Sequence, residues 1–194
     1  MTAEISGFGP HTVVLRILER HRAAPPDRAS LTVAQALLKG KKMDLLIQKC
    51  TELGVHTLQP LQTRFGENRT RLDRQHQRWQ RIMLEACKQC GRTWPMRICE
   101  PRSLEQFDTD NFCEKLLLWE QESRNPLPAT NWPASASICL LLGPEGGFHQ
   151  AEVALARKRG FDTVSLGRLV LRAETATLAA VSIIQFHTGA LLPA

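Results

Sequence analysis

The sequence predicts an α/β domain built on a mostly parallel sheet, and three observations carry that expectation. Short apolar runs alternate with amphipathic helical stretches along most of the chain, the pattern of a sheet covered on both faces. Near the C-terminus, two strand–turn–helix units follow each other. Each has a glycine in its turn: Gly143-Pro144-Glu145-Gly146-Gly147-Phe148, then Ser165-Leu166-Gly167-Arg168-Leu169-Val170-Leu171-Arg172. Such turns lie at the carboxyl ends of parallel strands, where open α/β sheets hold ligands.

The elements follow in order. Residues 11–18 alternate as a strand with Val13, Leu15 and Ile17 on one face, and Pro25-Pro26 breaks what comes next. Residues 31–38 read as the first buried strand. Residues 42–53 read as an amphipathic helix with Leu45, Leu46, Cys50 and Leu53 on its apolar side, stopped by Gly54. A strand over 57–61 leads to a polar, basic exposed loop over 63–71. A long helix over 73–90 points Trp79, Ile82, Met83 and Ala86 inward and its arginines outward. Two more strands fall at 98–99 and 115–119. Pro126, Pro128 and Pro133 mark a surface loop. A strand over 138–142, a helix over 149–159, a strand over 163–166 and a helix over 174–191 complete the pattern.

Composition narrows the class. The chain has 194 residues, 43% hydrophobic and 23% charged, values of an ordinary globular protein with room for one good core. No apolar run approaches the ~20 residues that span a bilayer, and no signal-peptide pattern opens the chain. A cytoplasmic protein with no membrane partner is expected, with its six cysteines as reduced thiols. Cys87-x-x-Cys90 has no second ligand pair at metal spacing and lies within a helical pattern, so no metal site is expected.

The net charge of +6 is concentrated in one segment. Residues 64–102 hold ten Lys or Arg against four acids, nine of the ten being arginine, while the remainder is balanced. Arginine forks onto phosphates and stacks on bases. So local an imbalance favours an RNA backbone partner over a merely solvated helix face.

The turns do not suit a nucleotide phosphate. Neither has the Lys-Ser/Thr ending of a P-loop, neither reads Gly-x-Gly-x-x-Gly, and Glu145 would repel a pyrophosphate. A neutral or cationic ligand fits better.

Taken together, Gly-Pro-Glu-Gly-Gly-Phe at 143–148 and Ser-Leu-Gly-Arg-Leu-Val-Leu-Arg-Ala-Glu-Thr-Ala at 165–176 resemble the ribosomal RNA small subunit methyltransferase E family. Two upstream segments match as well: Lys41-Lys42-Met43-Asp44-Leu45-Leu46-Ile47-Gln48-Lys49 with Thr51-Glu52-Leu53-Gly54-Val55, and Glu85-Ala86-Cys87-Lys88-Gln89-Cys90-Gly91-Arg92. The likeness runs over about residues 30–190.

The resemblance implies a SPOUT-superfamily domain over 29–194 that binds S-adenosyl-L-methionine (SAM) in a C-terminal trefoil knot. It implies methylation of N3 of a uridine in 16S ribosomal RNA of the 30S subunit, and a homodimer. Residues 1–28 then form the remnant of an N-terminal PUA-like RNA-binding β-barrel, with only its last strand or so present, plus a linker.

By the same resemblance Leu118, Leu142, Gly143, Pro144, Gly147, Leu166, Gly167, Val170, Leu171 and Thr175 line the SAM pocket. Arg172 lies at its mouth, to hold uracil oxygens or a phosphate; its alternative is a helix-start ion pair with Glu145 or Glu174. Arg64, Arg69, Arg71 and Arg92 are further RNA-binding candidates, and Arg92 has the alternative of a cation at a helix C-terminus. Uridine N3 must lose a proton before it is methylated. Glu145 and Glu174 are the candidate acceptors, and the sequence does not choose between them or solvent. His149 stands where many relatives carry Ser or Thr, so a weaker helix cap is expected. Two rival readings remain: a SPOUT enzyme for another RNA position such as a ribose 2′-hydroxyl, and a non-catalytic RNA-binding protein.

Overall fold

A computed structural model of the chain describes residues 2–20, 28–67 and 72–192. The main sheet is built from β3 (Ser30–Ala36), β4 (Thr57–Gln62), β7 (Glu114–Leu118), β8 (Ser137–Leu142) and β9 (Asp162–Val164), with two-residue strands β5 (Arg97–Ile98) and β6 (Arg102–Ser103) at its edge. The order is β5-β4-β3-β8-β7-β9, β6 also pairing with β4, and every pairing is parallel. Among the described residues four helices complete the domain: α1 (Lys42–Glu52), α2 (Leu72–Cys90), α3 (Gln150–Lys158) and α4 (Ala173–His187). The expected α/β architecture is present.

Strand alternation sorts the core into two layers. Ile138, Leu140 and Leu142 of β8 face a cluster with Met43, Leu46, Ile47 and Cys50 of α1, Trp79 and Met83 of α2, and Val181 and Ile184 of α4. Cys139 and Leu141 face the opposite cluster with Phe148, Phe161, and Val153 and Ala156 of α3. Cys87 packs its Sγ 3.7 Å from Met83 Sδ within the first layer.

Several boundaries and faces differ from expectation. The buried face of α1 is Met43, Leu46, Ile47, Cys50 and Thr51, while Leu45 is exposed; packing against both α2 and α4 turns the helix from the face its leucines suggest. The proline-marked segment is no surface loop throughout, because Leu127 and Trp132 are buried in the first core layer. Helix α4 stops at His187, where Gly189 takes φ +76°. Before the domain, β1 (Thr2–Phe8) and β2 (Val13–Glu19) pair antiparallel with each other as a separate two-stranded ribbon. The described N-terminal residues therefore hold two strands where one was expected; Gly7 interrupts the alternation of β1.

Candidate functional site

β7 ends at Leu118, β8 at Leu142 and β9 at Val164, side by side in the sheet. The segments leaving these three ends wall a cleft of about 590 Å³, a size suited to a small-molecule ligand. Leu118, Leu142, Gly143, Pro144, Gly147, Leu166, Gly167, Val170 and Leu171, all anticipated from the sequence, line it. Thr175, anticipated with them, is exposed on the first turn of α4 and is not part of the lining.

The glycines shape the cleft in two ways. Gly147 has φ +70°, and a Cβ there would stand 2.5 Å from Glu120 Oε1. Gly167 has φ +114°, and a Cβ there would meet nothing within 4 Å; a side chain would project into open space at the wall. Both conformations favour glycine. Ser165 Oγ accepts from the Gly167 N–H at 3.1 Å and holds the second turn.

The charged groups are arranged around a residue to which the sequence reading gave no role. Lys42, at the start of α1, places Nζ 3.0 Å from Glu145 Oε1 and 3.3 Å from Glu174 Oε2. Glu145 Oε1 also accepts the Lys39 backbone N–H at 3.2 Å. Burial pushes the Glu145 carboxyl up, but hydrogen bonds from its own backbone N–H, from Lys42 and from Lys39 outweigh this and hold its pKa below the ordinary glutamate value. The hydrogen bond to Glu145 is the main cause that raises Lys42 above the ordinary lysine value. Lys42 therefore takes both carboxylates that were alternatives for Arg172. Arg172 is the exposed N-cap of α4, at the cleft rim, and its guanidinium has no ion pair among the described residues. Glu120, also in the lining, was likewise not anticipated. No local pattern shows that α1 or the end of β7 meets the later turns; the likeness that covered the segment around Lys42 and placed Leu118 in the pocket was the pointer to it.

The RNA-binding candidates separate. Arg92 donates to the main-chain oxygens of Trp94, Thr51 and Val55 at 2.6, 2.8 and 2.6 Å. It ties the end of α2 to the end of α1, and its guanidinium is engaged in the fold, against the expectation that it faces RNA. Arg64 is exposed, with Nη1 2.9 Å from His149 Nε2. Arg69 and Arg71 lie outside the described residues. Arg74 and Arg81 stand exposed on α2, and Arg78 pairs with Asp44 at 2.6 Å.

His149 corrects another expectation. Its Nδ1 accepts the Ala151 N–H at 3.2 Å, and Glu152 accepts the His149 N–H at 2.9 Å. The imidazole caps α3 much as a Ser or Thr would. Glu152 also accepts the Arg64 N–H at 2.9 Å, fastening the loop after β4 to α3.

Residues 25–185 match the RNA methyltransferase domain family. A ribosomal RNA small subunit methyltransferase E from Synechocystis is 38% identical over 167 residues, which cover 78% of this chain and 52% of the relative; the chain thus matches about half the length of that relative. Among solved structures, a Legionella pneumophila protein with bound cofactor SAM is 33% identical at a TM-score of 0.82, with 95% of this chain and 77% of that one covered. A ribosomal RNA small subunit methyltransferase E from Neisseria gonorrhoeae bound to SAM is 28% identical at a TM-score of 0.80, with the same coverage. A parallel sheet with a two-turn cleft, a family match over most of the chain and these likenesses meet in one assignment: the chain belongs to the ribosomal RNA small subunit methyltransferase E family.

Proposed function

We propose that this protein is a SAM-dependent methyltransferase acting on N3 of a uridine in 16S ribosomal RNA of the small subunit. The cleft at the ends of β7, β8 and β9 carries the reading, since its glycine turns offer main-chain groups at close range and its walls offer Leu118, Leu142, Leu166 and Leu171 to an adenine. SAM supplies an electrophilic methyl group on a sulfonium. The SAM-bound Legionella and Neisseria structures support this ligand.

The chain's own residues then divide the work. Loss of the N3 proton spreads negative charge onto the uracil oxygens, which calls for a cation and a proton acceptor nearby. Arg172, exposed at the rim, is suited to hold those oxygens or a phosphate. The tethers on Glu145 suit it to a fixed anion that orients Lys42 and faces a cationic ligand. Glu174 is the candidate proton acceptor, directly or through water. Arg64, Arg74 and Arg81 extend a basic surface for the RNA.

The knot, the homodimer and a cytoplasmic location belong to the same proposal. Leu169 and Val170 are 81% and 83% exposed beside the cleft, and Phe186 is 54% exposed on α4; a second copy covering these apolar groups accounts for them.

Calorimetric titration with SAM, followed by nucleoside analysis of 16S ribosomal RNA from 30S particles incubated with the protein, tests the proposal. Saturable binding and 3-methyluridine are expected. Methylation at a ribose hydroxyl would give the reaction to a different class of SPOUT enzyme, and absence of SAM binding would leave only RNA binding.

A further inference from the structure

Gln35 of β3 is completely buried, a polar side chain set among the apolar residues of a central strand. Its amide nitrogen lies 3.1 Å from both the Ala36 and the Gly143 oxygens, and its Oε1 lies 2.7 Å from Thr177 Oγ1. Two acceptors on one side and a hydroxyl on the other fix the amide orientation, because only the NH₂ can serve two carbonyls. Thr177, also fully buried, reaches the Ala173 oxygen at 2.8 Å. Gly143 begins the first glycine turn. Ala173 and Thr177 belong to the first turns of α4, which also carry Arg172 and Glu174. One glutamine therefore joins, from beneath, the two segments that Lys42 joins from within the cleft.

We infer that Gln35 is a positioning residue that sets the spacing between the Gly143–Gly147 turn and the start of α4, and with it the width of the cleft. The inference rests on the proposed SAM reading for its functional consequence, though not for its structural one. The N–H given to Gly143 and the oxygen that faces Thr177 are both satisfied only when the two segments stand at this distance, while the N–H given to Ala36 stays within β3. If they move apart, at least one buried polar group loses its partner.

The fold holds an internal control. Gln59 of β4 uses the same device, donating from Nε2 to the Pro60 and Glu100 oxygens at 2.8 Å each, away from the cleft lining. Gln59→Leu removes a buried glutamine clamp without touching the site.

The test compares wild type, Gln35→Leu, Gln35→Glu, Thr177→Val and Gln59→Leu in two measurements: SAM affinity as a function of pH, and amide hydrogen exchange resolved by segment. In Gln35→Leu, SAM binding is expected to weaken at least tenfold, and residues 143–147 and 173–177 to exchange faster. Gln59→Leu is expected to bind SAM as wild type does. Gln35→Glu separates positioning from simple cavity formation. Its ionised carboxylate accepts from Thr177 but opposes the Gly143 and Ala36 oxygens, while the protonated acid can donate to one of them. Affinity should therefore be lowest near pH 8 and recover several-fold toward pH 6, relative to wild type at each pH.

Wild-type exchange at both segments in a folded Gln35→Leu protein would overturn the inference, as would equal loss of SAM affinity in Gln59→Leu. If Gln35→Leu does not fold, Thr177→Val decides by the same two readouts, since it keeps the shape and removes the donor to Gln35. If wild type itself does not bind SAM, the cofactor reading fails, and the exchange data alone judge the positioning role.

Discussion

The ammonium of Lys42 stands 3.0 Å from Oε1 of Glu145, an ion pair that fastens the start of α1 to the glycine turn after β8. The same ammonium reaches Glu174 on α4, so one cation gathers three elements that are distant in the chain. Two carboxylates held against one ammonium would otherwise repel each other. Lys42, placed between them, offsets that repulsion.

The first prediction is a shift in titration. Glu145 has a lowered pKa in the fold, so its tethers stabilise the protein above the ordinary glutamate range, and this contribution is lost as pH falls through the lowered value. Lys42 has a raised pKa, so its contribution is full below the ordinary lysine value and fades as pH rises through the raised one. In Lys42→Met, burial of Glu145 is opposed only by backbone donors. Its side-chain carboxyl carbon, followed by NMR, should titrate at higher pH than in wild type. An unmoved titration would show that Lys42 is not the tether.

Arg92 and Arg172 should respond in opposite ways. Arg92→Ala leaves three main-chain oxygens without their charged donor, a loss of about 2–4 kcal/mol, readable as a lower urea midpoint. RNA affinity and its salt slope should change little. Arg172→Ala should leave the urea midpoint within about 0.5 kcal/mol of wild type and lower the single-turnover methyl-transfer rate more than SAM affinity. A stable, RNA-defective Arg92→Ala protein would return Arg92 to the RNA surface.

The cap on α3 gives the third prediction. His149→Ala removes the acceptor for the Ala151 N–H and should lower stability by about 1 kcal/mol, while His149→Ser should retain most of it. Thermal melts at one pH distinguish them. Equal loss in both variants would mean that the contact of the imidazole with Arg64, rather than the cap, carries the stability.

The sequence made the sheet and most of the cleft readable for a definite reason. Strands such as 138–142 are buried on both faces and read as continuous apolar runs, and the glycine turns mark the strand ends where a ligand fits. The cleft's chemistry is less local. Lys42 looks like any lysine at a helix start, and only the fold of α1 against α4 brings it to Glu145 and Glu174. Gln35 looks like a flaw in an apolar strand until Gly143 and Thr177 are placed around it. Arg92 misled for the converse reason. A cation after a helix-ending glycine in a basic segment resembles a phosphate ligand, and nothing nearby in sequence shows the carbonyls of Thr51 and Val55 that it meets. The same holds for Leu127 and Trp132, whose burial depends on the segment folding back along β9, where Leu127 N–H bonds the Ser165 oxygen at 2.8 Å.

The last prediction separates the two positive-φ glycines of the cleft. At Gly167 a Cβ meets nothing within 4 Å. Gly167→Val therefore costs stability chiefly through its backbone conformation, on the order of 1–2 kcal/mol, and the protein should stay folded. Its side chain nevertheless occupies space at the wall that a ligand needs, so SAM binding should be lost. At Gly147, whose φ of +70° carries a backbone penalty of its own, a clash is added, since Cβ would stand 2.5 Å from Glu120 Oε1. The Glu120 side chain can swing away, but only by leaving its place over the turn. Gly147→Val should therefore lose more stability than Gly167→Val, and Gly147→Val combined with Glu120→Ala should recover part of the difference. Thermal melts and SAM calorimetry on the three variants check the argument. Undiminished SAM affinity in Gly167→Val would place the ligand elsewhere, and an unchanged melt on adding Glu120→Ala would show that the contact between Glu120 and the turn does not constrain it.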